Sequence, residues 1–303
     1  MKGIVSDFEL TTPASLEETL ALLAEAPGTV RPLAGGTDVM VVLAAGGLKH
    51  RRWVDIRRHA ELRGIEVSAD HVTVGALTTY SEVRADALLT DEFPMLGRAA
   101  ALSGAWAIQN RGTLGGNIVN ASPAADSPPA LLAYDAQLVL VSSRGERTVD
   151  YRGFHTGYKQ MQCQPDELIR AIVLPRRPWL ASQGTDGPRA LHRYRKVGTR
   201  KAQAISKICL AALGVVDGGT VQHLRLALGS VAAVPLDCTA VQTAVEGTPA
   251  DATLGDRIVA ALGEQVTPID DVRSTAAYRM RVAENLARDF ADDLVAGKTQ
   301  SPT

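Results

Sequence analysis

Two stretches of the chain share one grammar. In "RPLAGGTDVMVVLAAGG" and "TLGGNIVNASPAADSPPALLAYD", a glycine pair meets a small polar residue ahead of a run of small and apolar residues. The pairs are Gly35-Gly36 and Gly115-Gly116. Glycine tolerates positive φ and close backbone approach, so successive N–H groups in such a turn can point into one concavity. A concavity of that kind binds a phosphate without a lysine, particularly where a helix N-terminus follows. Residues 34–38 and 113–117 would add the hydroxyls of Thr37 and Thr113 as donors. The plainer reading is two tight strand-to-helix turns. No G-x-G-x-x-G and no G-x-x-x-x-G-K-[ST] occurs, which argues against a Rossmann NAD site and a P-loop. Asp126, downstream of the second turn, suits an acceptor for ribose or ribityl hydroxyls. It equally suits an acid at the start of a helix, where the macrodipole favours it.

With 303 residues the chain exceeds one typical domain, so two or three are expected. A net charge of −1 and an aromatic content of 4% offer neither the field nor the stacking surface that nucleic acid needs. Two short basic clusters stand out, "KHRR" at residues 49–52 and "RYRKVGTRK" at residues 193–201. Cys163, Cys209 and Cys238 form no C-x-x-C pair, so free thiols in a reducing cytosol are expected. Without a signal-peptide pattern or a run of about 18 apolar residues, a cytoplasmic protein with no membrane insertion is expected. The six histidines are scattered and give no metal-ligand cluster.

Ser15 and Glu18 make a capping-box pattern ahead of a helix with apolar Leu16, Leu20, Leu22 and Leu23. "TVRPL" reads as a strand, "VMVVLAAGG" as a buried helix or strand, and residues 53–56 as another strand. A second unit opens with a hairpin, Ile65 and Val67 against Val72 and Val74. Helices follow in "TTYSEVRAD", "PMLGRAAAL", "GAWAIQ" and "DSPPALLAYD", then a hairpin and the strand "PDELIRAIVLP". "RRPWLASQGTDGPR" reads as a loop at a domain boundary. Beyond it "ALHRYRKVG", "AQAISKICLAALGVVDGG" and "TVQHLRLALGSVA" read as three antiparallel strands, followed by two helices. In the last helix Tyr278, Val282, Leu286 and Phe290 share one face, expected to pack on the sheet. "KTQSPT" reads as a frayed tail.

"LAGGTDVM", "NRGTLGGNIVNASPAADSPPALLAYDA" and "YRKVGTRKAQAIS", in that order, resemble the FAD-binding medium subunit of the molybdenum hydroxylases. That family includes the flavin subunits of carbon monoxide dehydrogenase and nicotinate dehydrogenase and the flavin domain of xanthine dehydrogenase. The resemblance runs nearly end to end and implies an α+β chain. Two α/β subdomains, residues 1–56 and 57–176, would hold FAD non-covalently, as in the p-cresol methylhydroxylase and vanillyl-alcohol oxidase flavoproteins. Residues 187–303 would form a C-terminal domain of antiparallel sheet packed with helices. Carried over by position, Leu33, Ala34, Gly35, Gly36, Thr37 and Asp38 would form one diphosphate loop, and Thr113, Gly115, Gly116 and Asn117 the other. Asp126 would hold sugar or ribityl hydroxyls. Lys196 would approach the flavin ring, where a cation stabilises the anionic reduced form. Ala76 and Thr78 would line the flavin pocket. One departure is Gln109, where the family commonly has arginine.

The resemblance further implies an electron-transfer role. Electrons would arrive from 2Fe–2S clusters of a small partner, having left a molybdopterin centre in a large partner, and would leave to an external acceptor. A dimer of such heterotrimers is expected. Molybdopterin and the clusters belong to the partners, and no side chain of this chain is expected to act as a catalytic acid or base. The alternatives are a self-sufficient FAD-dependent oxidase or reductase of the same fold, and a scaffold that has lost the flavin.

Overall fold

The computed structural model describes residues 7–177, 188–200 and 202–298. Ser15 caps helix α1 (Leu16–Glu25) by accepting the Glu18 amide at 3.1 Å. The Glu18 carboxylate reaches back to the amide of Ala14 at 2.8 Å, one residue earlier than a reciprocal box would have it. Strands β1 (Glu9–Thr11), β2 (Val30–Leu33) and β3 (Arg52–Asp55) form a parallel sheet in the order β1-β3-β2. Leu20, Leu23, Val30, Val54 and Ile56 make its core.

Between β2 and β3 the apolar run is a helix, α2 (Thr37–Ala44), and the expectation that it is buried fails. None of its residues is buried, and Met40, Val41 and Val42 are 57%, 67% and 41% exposed. It crosses outside a sheet of only three strands, and among the described residues no helix or strand packs closely on it.

The second unit is a five-stranded antiparallel sheet in the order β4-β5-β10-β6-β7. It comprises β4 (Ile65–Val67), β5 (His71–Gly75), β6 (Gln137–Ser142), β7 (Gly145–Asp150) and β10 (Leu168–Pro175). A small ribbon, β8 (His155–Gly157) with β9 (Gln160–Met161), precedes β10. Six short helices connect β5 to β6: α3 (Tyr80–Ala85), α4 (Ala87–Glu92), α5 (Pro94–Leu102), α6 (Trp106–Gln109), α7 (Leu114–Val119) and α8 (Ser127–Ala133). Thr79 and Glu82 close a full capping box on α3. Helix α4, missing from the sequence reading, starts because the Asp86 carboxylate accepts the Leu89 amide at 2.8 Å.

The C-terminal sheet is antiparallel: β11 (Arg189–Val197), β12 (Ile208–Asp217), β13 (Thr220–Gly229) and the short β14 (Leu236–Asp237). Helices α9 (Thr239–Val245), α10 (Leu254–Gly263) and α11 (Ala276–Val295) follow. Strand β12 is buried along nearly its whole length because helices lie on both faces. Helix α11 packs on one face, and α5 and α8 of the second unit pack on the other. One apolar core therefore runs from Val72 and Leu138 through Tyr134 to Tyr194, Cys209 and Ala227.

The inward face of α11 is rotated from the expected one. Arg279, Ala283, Leu286, Phe290 and Leu294 are buried, whereas Tyr278 is 42% exposed in the first turn, under the Lys207 ammonium at 5.1 Å. The expected loop at residues 176–189 and the tail fall mostly outside the described residues. Cys209 and Cys238 are buried, Cys163 is half-buried, and none is bridged. Among the described residues no helix is long and apolar enough to cross a membrane.

Candidate functional site

The first glycine turn joins the end of β2 to α2. Gly36 adopts the left-handed conformation, φ 75°, and serves as the N-cap of α2 without a side-chain bond. The amides of Gly35, Gly36, Thr37 and Asp38 meet no acceptor among the described residues. An open helix start of this kind attracts negative charge.

The second turn is built differently. Thr113 caps α7, its hydroxyl accepting the Gly116 amide at 3.1 Å and its carbonyl the Asn117 amide at 2.9 Å. The Leu114 and Gly115 amides are bound to the carbonyls of Thr78 (3.0 Å) and Ala76 (2.8 Å). This turn is therefore not a ring of open amides. Its glycines serve close packing: a Cβ on Gly115 would lie 2.7 Å from that of Ala76. Ala76 and Thr78, expected to line the flavin pocket, are 5% and 2% exposed. They lie in the tight turn after β5, closed by the Thr78 amide on the Gly75 carbonyl at 2.9 Å, and their carbonyls hold the second glycine turn; the Thr78 hydroxyl donates to the Gly64 carbonyl at 3.3 Å. The side chain of Asn117 keeps one buried atom, Oδ1, with no hydrogen bond among the described residues.

The two turns touch. A Cβ on Gly35 would lie 1.8 Å from the Arg111 carbonyl oxygen, so only glycine lets the first backbone rest on the second. A cavity of about 580 Å³ opens at this contact, bordered by Gly35 and Thr113 and by Leu77 and Thr79. Four arginines line it, Arg57, Arg58, Arg63 and Arg111. Arg57 is locked onto Asp55 at 2.9 and 2.5 Å, which holds the Asp55 carboxyl below the usual range despite its burial. Glu82 is committed to the Thr79 amide and hydroxyl at 2.6 and 2.8 Å. Arg58 and Arg111 form no ion pair with the described residues, leaving the cavity with surplus positive charge.

Asp126 and Lys196 are brought together. The Lys196 ammonium, on β11, donates to Asp126 at 2.7 Å and to the Leu102 carbonyl at 3.0 Å. Asp126 stands at the N-cap of α8 but makes no cap bond; its carboxylate accepts from Ser206 (2.9 Å) and Ser103 (3.2 Å). The Tyr194 hydroxyl fastens the same residue through its carbonyl at 2.8 Å. Burial pushes the Asp126 carboxyl up, against the opposing pull of Lys196 and both hydroxyls. Burial likewise raises the Tyr80 phenol, with a further push from Asp126, and lifts the Cys209 thiol to about 12. Cys209 is thus an inert core thiol rather than a nucleophile. A smaller cavity of about 240 Å³ lies beside the clasp, bordered by Tyr194, Lys196, Arg98 and Arg200.

Ser206 and the four cavity arginines escaped sequence reasoning. Ser206 closes the quoted "AQAIS" and carries no signal beyond that. Gln109, the departure from the family pattern, is buried at 4% exposure. Its amide joins Arg84 at 2.5 Å to the Ala101 carbonyl at 3.0 Å, a place where a second guanidinium would repel the first.

Residues 6–177 match the family described as "FAD binding domain in molybdopterin dehydrogenase", and residues 193–294 match "CO dehydrogenase flavoprotein C-terminal domain". The chain is 32% identical to the xanthine dehydrogenase FAD-binding subunit of Escherichia coli O157:H7, over 95% of its own length and 97% of that protein. It is 28% identical to the carbon monoxide dehydrogenase medium chain of Hydrogenophaga pseudoflava, over 93% and 94% of the two chains. A solved carbon monoxide dehydrogenase structure from that organism superposes with a TM-score of 0.88 at 27% identity, covering 96% of this chain and 98% of the other.

Proposed function

The chain belongs to the family of FAD-binding subunits of molybdenum hydroxylases, and from that premise we propose that its paired glycine turns and the Asp126–Lys196 clasp hold FAD for electron transfer. The observation that carries this reading is the junction of the two turns. Gly35, whose amide is open and which nothing else could replace, borders one cavity with the unpaired Arg58 and Arg111, and the open amides that start α2 follow it directly in the chain. These groups fit a diphosphate.

Leu33, Ala34, Gly35, Gly36, Thr37 and Asp38 would cradle the diphosphate from one side. Thr113, Gly115, Gly116 and Asn117 would do so from the other, as a helix start and a packed support. The orphaned Oδ1 of Asn117 suits a hydroxyl donor. Asp126 would accept sugar hydroxyls, and Lys196 would present its charge to the ring. When bound, FAD would supply a relay between one-electron delivery and one- or two-electron exit. The chain itself binds, orients and shields, and none of its side chains is assigned a proton transfer with substrate.

In the assembly the partners are a large molybdopterin-binding chain and a small 2Fe–2S chain, paired as a dimer of heterotrimers in the cytoplasm, with an external acceptor. Residues 1–176 would form the flavin-binding unit and residues 187–303 the second domain. Fluorescence titration of the isolated chain tests the cofactor assignment. One FAD per chain is expected, with riboflavin bound far more weakly and no turnover of small organic donors. Failure to bind FAD would end the proposal, and turnover by the lone chain would favour a self-sufficient oxidase.

A further inference from the structure

Ser230 stands where three segments of the chain meet. It follows β13 directly, is buried, and takes a left-handed backbone with φ 68°. Its amide donates to the Pro123 carbonyl at 2.8 Å, in the loop that leads to Asp126. Its carbonyl accepts from the buried Arg279 of α11 at 2.6 Å, and Arg279 is itself held by Asp271 at 2.7 Å. Its hydroxyl donates to the Ser206 carbonyl at 3.1 Å, in the connection from β11 to β12.

A side chain at positive φ carries a steric cost that glycine escapes. Glycine could make the same backbone bonds to Pro123 and Arg279, so what serine adds at this position is its hydroxyl. Among the described residues five non-glycine positions take positive φ, and three of them, Ala121, Gln203 and Ser230, lie in the segments that meet here. Strain held in place by surrounding bonds gathers where geometry matters to function.

The residue fixed by that hydroxyl, Ser206, donates in turn to Asp126. Lys196 and Ser103 share Oδ2 of the carboxylate, whereas Oδ1 accepts from Ser206 and from no other described residue. With Ser206 turned away, Oδ1 would be left bare in a buried place and the carboxylate would draw harder on Lys196. A lysine held closer by its own carboxylate offers less positive field to anything beside it.

We propose that Ser230 is a positioning residue: through Ser206 it meets part of the demand of Asp126 and so leaves the Lys196 charge available to the flavin ring. This rests on the FAD assignment above, and it gives the strained serine a task that a glycine in the same turn would not perform.

The test compares Ser230→Gly and Ser230→Ala in the full chain carrying FAD, with midpoint potentials read by spectral titration against redox dyes. Both variants lack the hydroxyl, but glycine relieves the left-handed strain and alanine keeps it. Their melting temperatures should therefore differ, with the glycine variant the higher. Both should nonetheless lose the same preference for reduced over oxidised FAD. The expected loss is about tenfold, which places the two-electron potential about 30 mV below wild type. Ser206→Ala is expected to lower the potential at least as far, and adding Ser230→Gly to it should change the potential no further. Wild-type potential in either Ser230 variant, or full additivity with Ser206→Ala, would overturn the inference and leave the FAD assignment standing. A wild-type chain that takes up no FAD overturns both.

Discussion

Lys196 is the charge that makes Asp126 tolerable in a buried place. Removing one member of such a pair leaves the other without a partner at a cost of about 3–5 kcal/mol. Lys196→Met is expected to lower the melting temperature and weaken FAD binding together. Lys196→Met with Asp126→Asn should recover much of the stability and little of the affinity, a split that thermal melts and FAD titration read separately. The glycines make a second contrast. Gly35→Ala forces a methyl into the Arg111 carbonyl and should cost at least about 3 kcal/mol along with flavin retention. Gly97→Ala, inside α5, meets nothing within 4 Å and should be neutral or stabilise by about 0.5–1 kcal/mol. Equal losses in both variants would separate the glycine effect from the junction of the turns.

Strand β11 meets α8 through His192, whose Nδ1 lies 3.0 Å from the Tyr134 hydroxyl. Burial lowers the His192 pKa from 6.5 to about 4. The unfolded chain takes up this proton near pH 6.5 and the folded chain only near pH 4. The contribution is therefore complete above pH 6.5 and is lost as pH falls through 4, by roughly 3 kcal/mol. Denaturant melts across that window should show a shallower decline for His192→Leu than for wild type. Element types were largely legible in the sequence because glycine turns, caps and alternation are local signals. The burial of α2 was not, because an apolar run does not say whether anything in the same chain covers it. Nor was the difference between the two turns. The carbonyls that occupy the second turn come from Ala76 and Thr78, in a separate stretch of chain. The Asp126–Lys196 pair spans 70 residues; Asp126 was legible from its place after the second turn and Lys196 from the family resemblance, and only the fold showed that they meet.

At the scale of the whole molecule Asp135 is the hub between the two halves. It sits at positive φ between α8 and β6 and receives Arg177 at 2.5 Å and Arg225 of β13 at 3.0 Å. Burial alone would raise its pKa, but Arg225 and Arg177 win and hold it below the usual range. Asp135→Asn is expected to cost about 2 kcal/mol. Unfolding should nonetheless remain a single transition when followed by both fluorescence and circular dichroism, because the core is shared. Two separate transitions would mean that the halves fold independently. The wall that α5 and α8 give to the C-terminal sheet carries a lesson for gene shuffling. A chimera joined at residues 178–187 would pair a borrowed sheet with a foreign wall, so successful exchanges between relatives should carry residues 94–133 along with the sheet they cover.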